Sequence, residues 1–233
     1  MDGSTWGDAP SDGARGRVVL PDSSPRGEPP GPGVLELPAS HGRRHLVFVP
    51  ARATPGTALP LVVLLHGSGS DPQSVLRLLH DEAERRGMLV LAPKSMAYTW
   101  DAILGGVGPD IRSIQEALDW MAERFRLDRA RIMLSGFSDG ASYALTVGLV
   151  NGDVFSRIGA FSPGFLLPGP RTGRPSIFVS HGLADPVLPI DRCSRVLVPG
   201  LIADGYEVDF REFADGHTVP REMVAAALDP LAG

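Results

Sequence analysis

The chain has 233 residues, 43% of them hydrophobic, and a formal charge of −5 from 22 Lys and Arg against 27 Asp and Glu. That length suits one domain with a sizeable core, and an acidic balance with no basic cluster among aromatics disfavours nucleic acid as a partner. The single cysteine, Cys193, excludes an intrachain disulfide and fits a reducing compartment. No run approaches the roughly 18 apolar residues of a membrane span. The first residues carry neither the basic start nor the apolar run of a secretory leader, so a cytoplasmic location is expected.

Residues 1–33 are rich in Gly, Pro, Asp and Ser and read as a loosely ordered N-terminal stretch, in which only Arg17-Val18-Val19-Leu20 resembles a strand. Residues 34–233 read as a single α/β domain. Residues 44–49 and 61–65 are strand-like, the second an unbroken apolar run that implies burial on both faces. Asp71 followed by Pro72 marks a helix start; Val75, Leu78, Leu79 and Ala83 continue it and Gly87 ends it. A buried strand is expected at 88–92, then a helix with Ile111, Ile114, Ala117, Leu118, Met121 and Phe125 on one face. Residues 131–135 form the next strand, and Ala141, Ala144, Leu145, Gly148 and Leu149 recur beyond it at helical spacing. Strands at 157–161 and 176–180, a helix from about 190 to 204 bent at Pro199, a strand at 207–213 and a helix at 220–228 complete the chain. The alternation implies a mainly parallel central sheet with helices on both faces. Residues 162–175 are too few for a helical lid domain, so the strand ends should be open.

Between the 131–135 strand and its helix lies Gly136-Phe137-Ser138-Asp139-Gly140. The G-x-S-x-G pattern alone is weak. At a strand-to-helix corner it is strong, because the sharp turn lifts the serine hydroxyl clear of the backbone at the positive end of a helix. The plain alternative is a serine in an ordinary glycine turn. Such a hydroxyl needs a base within hydrogen-bond reach, and histidine suits the task with an ordinary pKa of about 6.5.

Ligands of parallel sheets bind where loops leave the C-terminal strand ends. Four such loops carry polar chemistry: 66–71, the Ser138 corner, 181–186 and 215–218. His217 is the only histidine after Asp185 and is the candidate base; its alternative is a polar residue capping the last helix. Asp185, in a proline-bounded turn, is the candidate orienting carboxylate. Asp191 is its rival, read as exposed or capping, and Asp209 and Glu212 lie inside a strand. The candidate oxyanion donors are the backbone N–H of Asp139 and that of Ser68, with Gly69 second. His66 reads as structural and His181 as packed beside the acid loop. No His, Cys or Asp spacing suggests a metal site, and neither metal nor cofactor is expected.

These motifs resemble the α/β-hydrolase superfamily, and more narrowly its phospholipase/carboxylesterase group and the related polyhydroxybutyrate-depolymerase-like esterases. The resemblance is carried by Leu65-His66-Gly67-Ser68-Gly69-Ser70-Asp71, by Tyr98-Thr99-Trp100-Asp101 and by the run from Gly136 to Leu145. His181-Gly182-Leu183-Ala184-Asp185-Pro186-Val187-Leu188-Pro189 and Gly216-His217-Thr218-Val219-Pro220 complete it. It implies an α/β-hydrolase fold with a minimal lid or none over 34–233, and a cofactor-free serine hydrolase. The loop 100–110 and Phe165-Leu166-Leu167 depart from the group's pattern and leave the substrate open.

The resulting expectation is a serine hydrolase that cleaves small-molecule carboxylic esters through an acyl-enzyme, with Ser138, Asp185 and His217 as its triad. Trp100, Phe165, Leu166 and Leu188 are candidate walls of the substrate pocket, with core packing as their alternative. Lysophospholipids, polyester oligomers and peptide bonds are rival substrates. A non-catalytic binding protein on the same fold is a rival of another class, against which the intact triad speaks. A phosphate cradle at Gly67 and Gly69 lacks the Gly-Lys-Ser/Thr of a nucleotide loop. No feature speaks to the oligomeric state.

Overall fold

The computed structural model of the chain describes residues 16–22, 25–38, 42–106 and 108–232. Residues 1–15 and 23–24 of the expected N-terminal stretch, and with them the reading that no leader is present, lie outside the described residues. The strands are β1 (Gly33–Pro38), β2 (Arg44–Val49), β3 (Leu59–Leu65), β4 (Leu89–Ala92), β5 (Leu127–Phe137), β6 (Arg157–Phe161), β7 (Ser176–Gly182) and β8 (Val208–Phe213). They form one sheet in the order β1-β2-β4-β3-β5-β6-β7-β8. β2 runs antiparallel to both β1 and β4, and every later pair is parallel. The helices are α1 (Pro72–Arg86), α2 (Pro109–Arg124), α3 (Asp139–Val150), α4 (Ser194–Ala203) and α5 (Arg221–Leu228). This is an α/β-hydrolase fold.

Side-chain alternation divides the core between the two faces. Leu61, Val63 and Leu65 of β3 join Leu134 of β5 and Ile158 of β6 against the apolar sides of α2, α3 and α4. Val62 and Leu64 join Met133 and Phe178 against α1 and α5. A strand apolar on both faces reads as a continuous hydrophobic run, which is why 61–65 holds no polar residue. Each such side chain stabilises the fold by about 1.5–3 kcal/mol when fully buried. α1 starts where the Ser74 N–H donates to Asp71 Oδ1 at 2.7 Å, with Pro72 in the first turn, and stops at Gly87, whose φ of 70° suits glycine.

The structure departs from the sequence expectations in four places. β1 follows directly on the Gly- and Pro-rich stretch, where no strand is expected; it is an edge strand whose ladder comes from β2 alone. β5 begins at Leu127, ahead of the charged Asp128, Arg129 and Arg131 that hide it from an apolar pattern. Residues 17–20 form no ladder: the Val18 and Val19 N–H groups donate instead to the side chains of Asn151 and Gln115, at 2.8 and 2.7 Å. The expected helix at 190–204 is split into a 3-10 turn, Ile190–Arg192, and α4, with a break at Cys193 (φ −119°, ψ −102°). Pro199 sits inside α4, where it has no N–H to donate. Residues 162–175 carry no helix, and among the described residues no helix is long and apolar enough to cross a membrane.

Candidate active site

Ser138 stands between β5 and α3 with φ 58° and ψ −122°, a conformation in which a non-glycine residue is strained by roughly 1–3 kcal/mol. The surroundings hold it there. Its N–H donates to Phe161 O at 2.9 Å, and its carbonyl accepts the Ala141 and Ser142 N–H groups at 2.9 and 3.1 Å. The two glycines of the pentapeptide are required by backbone approach. A Cβ on Gly136 would run into Gly140 O, and one on Gly140 would run into Leu65 O and sit 2.6 Å from His66 O.

β7 and β8 deliver the other two groups. The loop after β8 is drawn onto the loop after β7 by Leu183 N–H to Phe213 O (2.8 Å) and Ala184 N–H to Asp215 O (3.0 Å). Gly182 permits this contact, since a Cβ there would strike Asp215 O and Gly216 O. His217 Nδ1 then lies 2.6 Å from Asp185 Oδ2, and its Nε2 lies 2.9 Å from Ser138 Oγ. Asp185 accepts from the first nitrogen, so Nδ1 carries the proton and the Nε2 lone pair faces the serine hydroxyl. The imidazole leans on the Phe137 ring, 4.7 Å between centroids. Burial works to raise the Asp185 carboxyl, but the Leu188 N–H, the His217 side chain and the Val187 N–H outweigh it and hold the group below the usual carboxylate range. Asp191 is elsewhere: its exposed carboxylate pairs with Arg195 at 2.7 Å. Asp209 and Glu212 likewise pair with Arg211 and Arg195 at the surface.

The loop after β3 lies over the serine, close enough that a Cβ on Gly67 would sit 3.3 Å from Ser138 Cβ. Its backbone is braced from below. His66 Nδ1–H donates to Gly67 O at 2.7 Å and its Nε2 accepts the Ser95 N–H at 3.1 Å; burial lowers its pKa to about 4, so the ring is neutral. Lys94 Nζ donates to Ser70 O at 2.8 Å. The Gly69 N–H is already committed to Tyr98 O at 2.7 Å. Ser68 N–H and Asp139 N–H have no acceptor among the described residues, and Asp139 N–H opens α3. Of the two glycine-loop candidates, Ser68 is therefore the one free to donate. The Asp139 side chain accepts Thr99 Oγ–H at 2.7 Å and ties the segment after β4 to the Ser138 corner. Sequence reasoning gave that side chain no part, and its partner is 40 residues away.

Trp100 is not a pocket wall. It is 0% exposed, its Nε1–H donates to His66 O at 2.8 Å, and it stacks on Tyr143. Tyr143 donates to Asp101 Oδ1 at 2.8 Å, and Asp101 and Asp110 exchange bonds with each other's backbone N–H at 2.8 and 2.7 Å. Burial, with Asp101 close by, raises Asp110 to about 6. Phe165, Leu166 and Leu188 are half-buried. The Phe165 segment is pinned over α3 by Gly164 N–H to Ser142 Oγ (2.9 Å), and a Cβ on Gly164 would lie 3.1 Å from Leu188 Cδ2. Leu166 packs on the core. A separate cavity of about 460 Å³ between 29–32, 53–57 and 124–126 adjoins Leu59 at the start of β3, at the end of the sheet away from Ser138. Among the described residues no cluster of three His, Cys, Asp or Glu side chains could hold a metal ion.

A sheet of this order with Ser, His and Asp in hydrogen-bonded sequence at its C-terminal edge defines the α/β-hydrolase class. Residues 105–232, more than half of the chain, match the phospholipase/carboxylesterase family, and the chain belongs to that family. It is 30% identical over 158 residues to a bifunctional acetylxylan esterase/xylanase of Neocallimastix patriciarum, a match that spans 63% of this chain. The chain spans only about a fifth of that curated relative, 22% of its length. Among solved structures it is similar to esterase PE8 (24% identity, 86% of this chain and 97% of that one, TM-score 0.62). A ferulic acid esterase of Anaeromyces mucronatus shares the fold at 17% identity over 91% and 95% of the two chains, with a TM-score of 0.66.

Proposed function

We propose that the chain is a serine hydrolase of carboxylic esters acting through an acyl-enzyme, with Ser138 as nucleophile, His217 as general base and acid, and Asp185 as its orienting carboxylate. The reading rests above all on the unbroken run from Asp185 Oδ2 through His217 to Ser138 Oγ, at 2.6 and 2.9 Å. His217 Nε2 takes the hydroxyl proton as Ser138 Oγ attacks the acyl carbon. The oxyanion forms against the N–H groups of Ser68 and Asp139, each worth on the order of 3 kcal/mol in the transition state. His217 then protonates the departing alcohol, and the same nitrogen activates water to release the acid. Asp185 holds the imidazole in the working tautomer and stabilises the imidazolium without taking its proton.

The substrate reading is narrower in one respect than small esters in general. With no helix in 162–175, an acyl group carried on a bulky alcohol can reach the serine. The relatives named above carry acetylxylan and ferulic acid esterase in their names, so we propose acetyl and feruloyl esters of sugars as first candidates, ahead of lysophospholipids, polyester oligomers and peptides. We also assign residues 34–233 to one catalytic domain. The test is covalent labelling by a fluorophosphonate, with turnover of a panel of those esters. Label on Ser138, and its loss with all turnover in a folded Ser138→Ala, is the expected result; turnover surviving in Ser138→Ala rejects the nucleophile. A parent protein that takes no label and turns over no ester favours the binding-protein alternative.

A further inference from the structure

Asp185 is held by more than His217. Its Oδ1 accepts the N–H groups of Val187 and Leu188 at 2.9 and 2.8 Å. Its Oδ2 also lies 3.3 Å from Nε2 of His181, one turn of chain earlier at the end of β7, with both side chains fully buried. That Nε2 is 2.7 Å from the carbonyl oxygen of Leu188, which can only accept, so Nε2 carries the proton. On the far side, His181 Nδ1 is 2.7 Å from Ser194 Oγ, at the first residue of α4. In a neutral ring Nδ1 is an acceptor, and the Ser194 hydroxyl donates to it. Burial, the largest influence on this ring, lowers its pKa and keeps it neutral.

We infer that His181 is a positioning residue for hydrolysis: anchored by Ser194, its Nε2–H grips the Leu188 carbonyl and Asp185 Oδ2 together and keeps the carboxylate aimed at His217. The inference rests on the triad reading proposed above. Leu188 is clamped from both sides, its N–H by Asp185 Oδ1 and its carbonyl by His181, so the imidazole fixes the turn from 185 to 188 on the side that Asp185 leaves free. There is an electrostatic consequence too. During the reaction His217 becomes an imidazolium, and Asp185 must remain a carboxylate beside it. A second N–H on Oδ2 lowers the basicity of that oxygen and leaves the proton on His217. Of the other titratable groups, Glu212 is the ladder partner of His181 on β8, and Cys193, ahead of α4, feels the charge of Asp185. Glu212 is bound by Arg195 at 2.7 Å, and Cys193 is neutral because burial raises its thiol.

Three variants test this: His181→Phe, which keeps a ring without N–H; His181→Gln, whose amide restores an N–H near Nε2; and Ser194→Ala, which removes the anchor. With a short-chain p-nitrophenyl ester, His181→Phe is expected to lower kcat by about 10- to 100-fold while KM stays within about threefold. The acid limb of its kcat/KM profile moves to higher pH, because the full charge of Asp185 then falls on His217. His181→Gln recovers most of kcat, and Ser194→Ala loses about 3- to 10-fold. If His181→Phe does not fold, the other two variants carry the same readouts. Parental kcat and acid limb in His181→Phe, or in Ser194→Ala where the former is unfolded, overturn the inference. So do equal losses in His181→Gln and His181→Phe, since shape alone would then matter. Fluorophosphonate labelling of Ser138 in the parent separates the two levels: labelled parent with indifferent His181 variants removes this inference only, whereas an unlabelled parent removes the triad reading beneath it.

Discussion

Trp100→Phe isolates what the buried indole does. The variant keeps an aromatic ring against Tyr143 but loses the Nε1–H that donates to His66 O at 2.8 Å, in a place with no solvent exposure. Leaving that carbonyl unsatisfied costs about 1–3 kcal/mol. The missing part of the indole leaves about 40 Å³, which at ~24 cal/mol per Å³ adds about 1 kcal/mol. The total is about 2–4 kcal/mol, or a fall in Tm of about 5–15 °C for a chain of this size. The loss also bears on the site, because His66 O lies where Gly140 is seated and the next loop residues carry the Ser68 N–H. A shift of a few tenths of an ångström there should lower kcat by about tenfold with little change in KM. Thermal unfolding by circular dichroism and steady-state hydrolysis of a short-chain ester check both halves. A Tm within about 1 °C of the parent would refute the reasoning, because a buried donor of this kind cannot be removed without cost.

Gly140→Ala places a Cβ 2.6 Å from His66 O and against Leu65 O, so backbone must move; kcat is expected to fall by at least about 100-fold, measured on protein shown to be folded by circular dichroism. Acidification should destabilise the fold between about pH 6.5 and 4. His45 and His66, lowered to about 4, stay neutral when folded, while their unfolded imidazoles bind protons from about pH 6.5 downward. Each favours unfolding by up to about 1.4 kcal/mol per pH unit in that window. Asp110, raised to about 6, acts the other way, because its carboxyl takes up a proton in the folded state first and offsets one of the two. A urea midpoint that does not fall between pH 7 and 5 contradicts this balance. Asp71→Ala should cost about 1 kcal/mol through loss of the cap on Ser74 N–H. Because that bond lowers the Asp71 pKa, the stabilisation is present above about pH 4 and fades below it, so parent and variant should converge in acid denaturation curves.

The parts of the molecule legible in the sequence are those set by local pattern. The apolar run at 61–65, the Asp71-Pro72 start and the Gly87 stop each carry their own physical reason, and all three stand in the structure. Ser138, Asp185 and His217 could be singled out because each lies in a turn just past a strand, and parallel strands bring such turns to one edge. What escaped depends on partners distant in the chain. An aromatic beside a glycine loop fits a wall or a brace equally well, and only the His66 carbonyl, 34 residues before Trp100, decides for the brace. β1 carries a weak pattern because an edge strand borrows its bonds from one neighbour. The expected helix at 190–204 includes Cys193, whose dihedrals break it without any Gly or Pro at that position. His181 looked like packing, and in burial it is; its meaning lies in two ring nitrogens and what each one faces.

The stitching between the loops after β7 and β8 is made by main-chain atoms, while the segment from 164 to 167 hangs on the Ser142 and Thr146 hydroxyls of α3. Drift in the exposed side chains of those loops therefore leaves the reacting groups in register, whereas insertions at 164–167 would redraw the surface above α3 without touching the machinery beneath it. Such a division lets a lineage change what it digests by lengthening one stretch of chain, and keep its chemistry throughout.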